Sequence, residues 1–275
     1  MSYLTEEQIE SFKENGFLVV DNFFSEEEIS DFTEVARDVI RAQMERASRK
    51  SPEIFTDLAP GEEFDRGLIL LTEFDREYLD SIYDTLWKTP EFLRLVSKRE
   101  TEVLVNQLMG RKPNAPLYGF INRCRIALPK DARFDWHQEI FQTVPEAEFL
   151  QTWASLIHDA SREAGAMQLC VGSHKAPKAK PAWRENANGV AKIFFDDEFA
   201  DQFEQATMDL KLGQVVFFTG HIVHRSGENT SEKVRYSLVG LYHNVEDVHF
   251  DPPKLRFVYR KRTPKEYFDS LPPIY

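Results

Sequence analysis

In the stretch Phe134-Asp135-Trp136-His137-Gln138-Glu139, an imidazole and a carboxylate stand two residues apart. If that stretch is extended, residues i and i+2 leave the same face, so His137 and Glu139 aim at one point. A second imidazole, His224, lies far downstream in Val223-His224-Arg225-Ser226. Two nitrogens and one oxygen on one side of a metal leave positions open on the other, a donor set suited to non-haem Fe(II) oxygen chemistry. Asp135 is a local rival to Glu139, because it too lies two residues from His137.

A histidine taken alone is more often a satisfied core or surface residue than a ligand, and this chain has seven. His137 stands out for its nearby carboxylate and for Trp136, which could form a dry wall. His224 stands out for following the strand-like run Gln214 to Phe218 and preceding a turn, Arg225 to Asn229. Arg235 comes eleven residues after His224, where a hairpin through 228–231 would return it to the same place. A guanidinium grips a carboxylate through two parallel hydrogen bonds, and Ser226 would add a hydroxyl. The commoner fate of a single arginine is an exposed strand end. Taken together, the set suits a dicarboxylic keto acid with one end on a metal and the other on Arg235.

Trp136 to Glu139, Trp153-Ala154-Ser155-Leu156, Gly165, Gly172-Ser173-His174-Lys175 and His224 to Asn229 with Arg235 resemble, in this order, the phytanoyl-CoA dioxygenase family. The opening Gln8, Phe12 and Gly16 to Val20 is similar to that family's usual start, so the resemblance runs from about residue 5 to 245. It implies a double-stranded β-helix, cupin-like, that uses Fe(II), 2-oxoglutarate and O2 to oxidise small molecules. It also implies His137, Glu139 and His224 as iron ligands and Arg235 with Ser226 on the distal carboxylate, Trp153 and Gln138 lying at the same co-substrate site. The family usually has Asp where this chain has Glu139; ligand order and spacing still favour Glu139 over Asp135. A carboxylate there argues against the halogenase branch, which replaces it with a small residue.

The activity implied is hydroxylation of an aliphatic C–H bond, with succinate and CO2 as co-products; desaturation or ring formation would begin the same way. Arg123 and Arg125 share one face of a strand-like run and could meet an anionic substrate or co-substrate, with Phe134 and Trp136 as aromatic walls. Surface arginines on a barrel edge are an equal alternative. The stretch 50–75 is a candidate lid, with Phe64, Leu68 and Leu70 as wall residues. Lys175, Lys178, Lys180 and Arg184 could meet coenzyme A phosphates, although a charged loop is more often only solvated. Three other readings stay open: an acyl-CoA hydroxylase, a cupin-like binding protein without turnover, and a zinc or manganese hydrolase or isomerase.

These side chains need a rigid frame, and the chain has the material for one. A length of 275 residues, 42% hydrophobic with 22 Phe, suits a single large domain. Thr5-Glu6-Glu7-Gln8 and Ser25-Glu26-Glu27-Glu28 are capping boxes, the second opening a helix to about residue 47 with Ile29, Phe32, Val35, Val39 and Ile40 as its buried stripe. Phe17 to Val20 reads as a short strand, 50–66 as a loop, and helices follow around 76–87 and from Pro90. From about 101 the period changes to strands: 101–108, 117–128, 149–158, 166–171, 208–212, 214–218 and 234–245, with 172–206 irregular. The expected architecture is α+β: a helical flank over 1–100, a jelly-roll core over 101–250 and a C-terminal tail over 251–275.

The formal charge of −12 argues against nucleic acid or an anionic membrane as partner, and no apolar run is long enough to span a bilayer. Cys124 and Cys170 read as buried free thiols, which with no signal peptide in view fits the cytoplasm. The expected partner is a small-molecule substrate; nothing here fixes an oligomeric state.

Overall fold

The computed structural model describes residues 4–55, 58–139, 147–176, 182–185 and 191–251, with backbone alone for 120–121, 182–185 and 191–193. Helix α1 (Glu6–Asn15) and helix α2 (Glu26–Ser48) flank strand β1 (Phe17–Val20), and each helix begins at the expected capping box. In both boxes the N-cap hydroxyl accepts from the N3 backbone N–H while the N3 side chain accepts from the N-cap N–H, satisfying donors a helix start leaves open. Four shorter helices follow: α3 (Arg66–Phe74), α4 (Arg76–Leu86), α5 (Pro90–Val96) and α6 (Arg99–Leu108).

Helix α6 replaces the strand expected at 101–108. Its valines favour a strand locally, but Thr101, Leu104, Val105 and Leu108 are buried at i, i+3, i+4 and i+7, which is a helical stripe. The change from helix to strand therefore falls between Leu108 and Leu117 rather than at 101.

The sheets come from β2 (Leu117–Ala127), β3 (Phe149–Ser155), β4 (Met167–Cys170), β5 (Ala182–Glu185) and β6 (Ala191–Phe194), then helix α7 (Asp197–Ala200) and β7 (Gln205–Thr207), β8 (Val215–Thr219), β9 (His224–Ser226) and β10 (Arg235–Asn244). A five-stranded sheet runs β1-β8-β3-β10-β2 and a three-stranded sheet β7-β4-β9; every pairing is antiparallel. Strands β5 and β6 form a separate hairpin within the region read as irregular. The stretch 208–212 is not a strand, because Asp209 and Leu210 donate their N–H groups two residues back, to Thr207 and Met208, and break the ladder.

Alternation along the large sheet assigns its two faces. Val215 and Phe217 of β8, Ala154 of β3, and Tyr236 and Leu238 of β10 join Phe32, Ile40 and Leu68 in the main core under the helices. Their neighbours Val216, Phe218 and Trp153 face the small sheet and meet Met167 and Leu169. With both faces covered, β3 is buried at every position.

The proposed lid is instead part of this core. Phe64 and Leu68 are 4% and 0% exposed, and the Phe64 carbonyl accepts a hydrogen bond from the buried Tyr236 hydroxyl at 2.6 Å. Leu70 is half-buried in α3 and lines no part of the cavity described below. Cys124 and Cys170 are buried and free. No described helix is long and apolar enough to cross a membrane. The tail expected over 251–275 lies, beyond Asp251, outside the described residues.

Asp65, just before α3, ties the helical flank to the start of β10. One carboxylate oxygen accepts from the Val234 N–H at 2.7 Å and the other meets His158 Nε2 at 3.1 Å. Burial opposes the ionised form, but the bonds from His158 and Val234 outweigh it and hold the Asp65 pKa below its ordinary value. A carboxylate depressed in the folded state contributes stability above its unfolded pKa and loses it as pH falls through the folded one. Asp65→Ala should therefore lower urea stability by about 1–3 kcal/mol at neutral pH. The gap from wild type should shrink as pH drops below about 4.

Candidate active site

Strand β9 carries His224 and Ser226 on its inner face and Arg225 on its outer face, as a period of two requires. The segment before the cavity pairs with it: His137 N–H donates to the His224 carbonyl at 2.9 Å, and His224 N–H returns the bond at 3.0 Å. This isolated antiparallel bridge sets the two imidazoles side by side, ring centroids 4.3 Å apart. His137 Nδ1 donates to the Asp135 carbonyl and His224 Nδ1 to the Ile222 carbonyl, each at 3.0 Å. In that tautomer Nε2 is the free lone pair on both rings, the usual way a protein orients a metal-binding histidine.

Glu139 brings the oxygen. Its carboxylate lies 3.5 Å from His137 Nε2, and one donor atom from each of His137, Glu139 and His224 falls within 4.8 Å of the others. Burial alone would raise the Glu139 pKa, but its contact with His137 and the electrostatic surroundings that include Arg125 leave it lowered. Burial, then the neighbouring His137, pushes the His224 imidazole down to about 3. An ionised carboxylate and an uncharged imidazole are the forms a metal ion requires.

Asp135 does not reach this point. Only His137 is held in a ladder, and the chain around it is irregular, so the period of two fails at Asp135, which is exposed. It lines a separate surface cleft with Arg133, Trp136 and Arg225. Trp136 likewise faces away from the cavity: its ring packs on Val223, Cys170 and Phe195, with the Arg225 guanidinium 4.1 Å above its centroid. Gln138 also points outward, donating from Nε2 to the His221 carbonyl.

The three donors lie in a cavity of about 320 Å³ between the two sheets. Phe134, Trp153, Ser226, Arg235, Arg123 and Arg125 also line it. Sequence reasoning passed over further lining residues, Gln151, Met167, Phe218 and Ser237. A polar residue at an inward strand position was the available signal for Gln151 and Ser237.

Arg235 opens β10 and is 7% exposed. Burial lowers its pKa to about 10, which keeps it cationic at neutral pH. Nη1 reaches the Ala164 carbonyl at 3.4 Å, while Nε is buried without a hydrogen-bond partner among the described residues. The hairpin expected between His224 and Arg235 is a crossing between sheets: β9 pairs with β4, whereas β10 pairs with β2 and β3. Buried Asn229 locks that crossing by donating to the Ala127 and Lys233 carbonyls. Gly165, at φ +73°, lets Arg235 approach; a Cβ there would stand 2.7 Å from the Gly227 carbonyl oxygen and 3.0 Å from Arg235 Nη1.

An antiparallel two-sheet core flanked by helices, with two imidazoles, a carboxylate and a buried cation around one cavity, defines a class of candidate metal-dependent oxygenases. The sequence matches the phytanoyl-CoA dioxygenase (PhyH) family over residues 12–237, and the chain belongs to that family. It is thereby a dioxygenase by class. The ectoine dioxygenase of Bordetella parapertussis is 25% identical over 268 residues, covering 91% of this chain and 79% of its own. The peroxisomal phytanoyl-CoA dioxygenase of Homo sapiens is 22% identical over 245 residues, covering 86% and 67%. Among solved structures, the epimerase SnoN in complex with Fe3+, alpha ketoglutarate and nogalamycin RO has a TM-score of 0.58 at 18% identity, covering 87% of this chain and 83% of its own.

Gly165→Ala should displace the Arg235 guanidinium while leaving the His137–His224 bridge in place. The expected result is a thermal midpoint lowered by several degrees with metal content retained. Loss of bound metal in that variant would show that the two ends of the cavity are not independent.

Proposed function

We propose that the protein is an Fe(II)- and 2-oxoglutarate-dependent dioxygenase with a jelly-roll core that hydroxylates an aliphatic C–H bond of a small-molecule metabolite. His137, Glu139 and His224 hold the iron. Arg235 and Ser226 hold the distal carboxylate of 2-oxoglutarate, with Trp153 beside it. The observation that carries this reading is the pairing, in one cavity, of three convergent donors with a buried guanidinium that forms no ion pair among the described residues. An orphaned buried Nε fits an oxyanion, because a buried donor left unpaired is costly. Placement outside the cavity removes Gln138 and Trp136 from this proposal.

When bound, iron with O2 and 2-oxoglutarate would supply an oxidation whose products are succinate, CO2 and an alcohol, one atom of O2 entering succinate and the other the alcohol. The chain does the rest. The Nδ1–H bonds fix both imidazoles with Nε2 toward the metal. Phe134, Phe218, Val239 and Leu241 keep water from the reacting bond. A cavity near the lower end of the usual ligand-site range favours a small metabolite. Lys175, offered by the sequence for coenzyme A phosphates, is paired with Glu14 at 2.5 Å, and Lys178, Lys180 and Arg184 lie outside the described side chains.

Glu139→Ala should lose stoichiometric iron while Asp135→Ala keeps it; the reverse result would transfer the ligand role. Arg235→Leu should weaken 2-oxoglutarate binding roughly 30-fold or more, since truncating one partner of a buried charge pair typically costs 2–5 kcal/mol. The function as a whole is tested by oxygen-dependent succinate release from the iron-loaded protein across candidate metabolites. A protein that binds iron but never consumes 2-oxoglutarate would leave the binding-protein alternative standing.

A further inference from the structure

The inner face of β10 presents Arg235, Ser237, Val239 and Leu241 to the cavity in succession. Strand pairing sets Arg125 beside Ser237, Arg123 beside Val239 and Gln151 beside Leu241. The cavity is therefore graded along the strand. Arg125 acts electrostatically on both Arg235 and Glu139, which places it with the metal and co-substrate. Arg123 has no such tie. It lies level with Val239, four residues from Arg235 and so roughly 13 Å along the strand. One short diacid does not span both.

One further observation marks this remote end as a ligand site. Gln151 is 2% exposed, lines the cavity, and its Nε2 has no hydrogen-bond partner among the described residues. Ser237, 0% exposed, also has an unpartnered Oγ, but it stands beside Arg125, nearer Arg235. Buried polar groups are normally satisfied, so donors left open along a cavity wall point to a polar group on what the cavity receives. The charges give its sign. A ferrous ion and the 2-oxoglutarate dianion offset one another, and Arg235 offsets Glu139. Arg123 and Arg125 then face a single acid, Asp131, within a chain whose net charge is −12.

Resting on the dioxygenase reading above, we propose that the oxidised substrate carries an oxyanion group, carboxylate or phosphate, bound by Arg123 and Gln151 at the end of the cavity remote from Arg235. Its aliphatic part lies along Val239, Leu241 and Phe218, which carries a C–H bond toward the His137–Glu139–His224 point. Arg123 supplies the charge and Gln151 the neutral donor; together they set specificity for anions over their neutral counterparts.

The test uses the iron- and 2-oxoglutarate-loaded protein without oxygen, so that binding is read apart from turnover. Hexanoate, hexyl phosphate, hexanamide and hexanol are titrated as probes. The anions should bind roughly 10- to 100-fold more tightly than the amide and alcohol, the usual worth of hydrogen bonds to a charged group. The tighter of the two anions identifies the head group. Arg123→Met should abolish the preference. So should Gln151→Glu, which gives Arg123 an internal partner without deleting it. Both variants should keep wild-type 2-oxoglutarate affinity, which also certifies that they fold. No preference for anions in the wild type, or a preference that survives both substitutions, overturns the proposal. So does an Arg123→Met variant that loses 2-oxoglutarate as Arg235→Leu does, since Arg123 would then belong to the co-substrate. Failure of the wild-type iron protein to bind 2-oxoglutarate would instead strike the underlying dioxygenase reading.

Discussion

The site depends on one pair of backbone hydrogen bonds, those exchanged between His137 and His224. Side chains directly opposite one another across antiparallel backbones leave on the same face, so this bridge alone brings two imidazoles from distant parts of the chain together. Everything else on the metal side is refinement. The backbone carbonyls of Asp135 and Ile222 turn the rings, and Glu139 reaches in from two residues beyond His137. On the outer surface, Arg225 lies over Trp136 and donates to Asp197 and Gln168, so the reverse side of the bridge is also held.

Much of this was legible in the sequence, for reasons that differ by residue. The capping boxes at Thr5 and Ser25 are local, and local chemistry decides them. His137, Glu139, His224, Ser226 and Arg235 were legible as a set because their spacing matches a family pattern, and the structure brings all five to one cavity. Helix α6 was not legible from its valines, because a strand-forming composition was overridden by a buried helical stripe. Asp135 was misplaced for a related reason. The period of two holds only where a ladder holds, and here the ladder is a single bridge. Gln151 and Ser237 offered only a polar residue within a strand-like run as a signal; that they share one cavity wall is a property of the register of β10 against β2 and β3.

The cavity also departs from the molecule around it. The surface of an acidic chain surrounds a lining in which Arg123, Arg125 and Arg235 outnumber Glu139 and Asp131. Burying a cation is unfavourable, and the lowered pKa of Arg235 records that cost, with the nearby Arg125 adding to it. On the proposed reading an arriving anion would relieve it, which would couple the stability of the core to occupancy of the cavity.

Strands β9 and β10 lie in opposite sheets although only a short crossing, locked by Asn229, separates them. The imidazole of His224 and the guanidinium of Arg235 therefore sit on different walls. The gap between them is governed by the thickness of the sandwich, about 10 Å between facing sheets, and not by the register of any strand. Met167 and Leu169 of the small sheet, packed against Trp153 and Phe218, act as spacers between the walls. Trimming one of them would change the length of molecule that fits between the two walls before it changed any group that grips it.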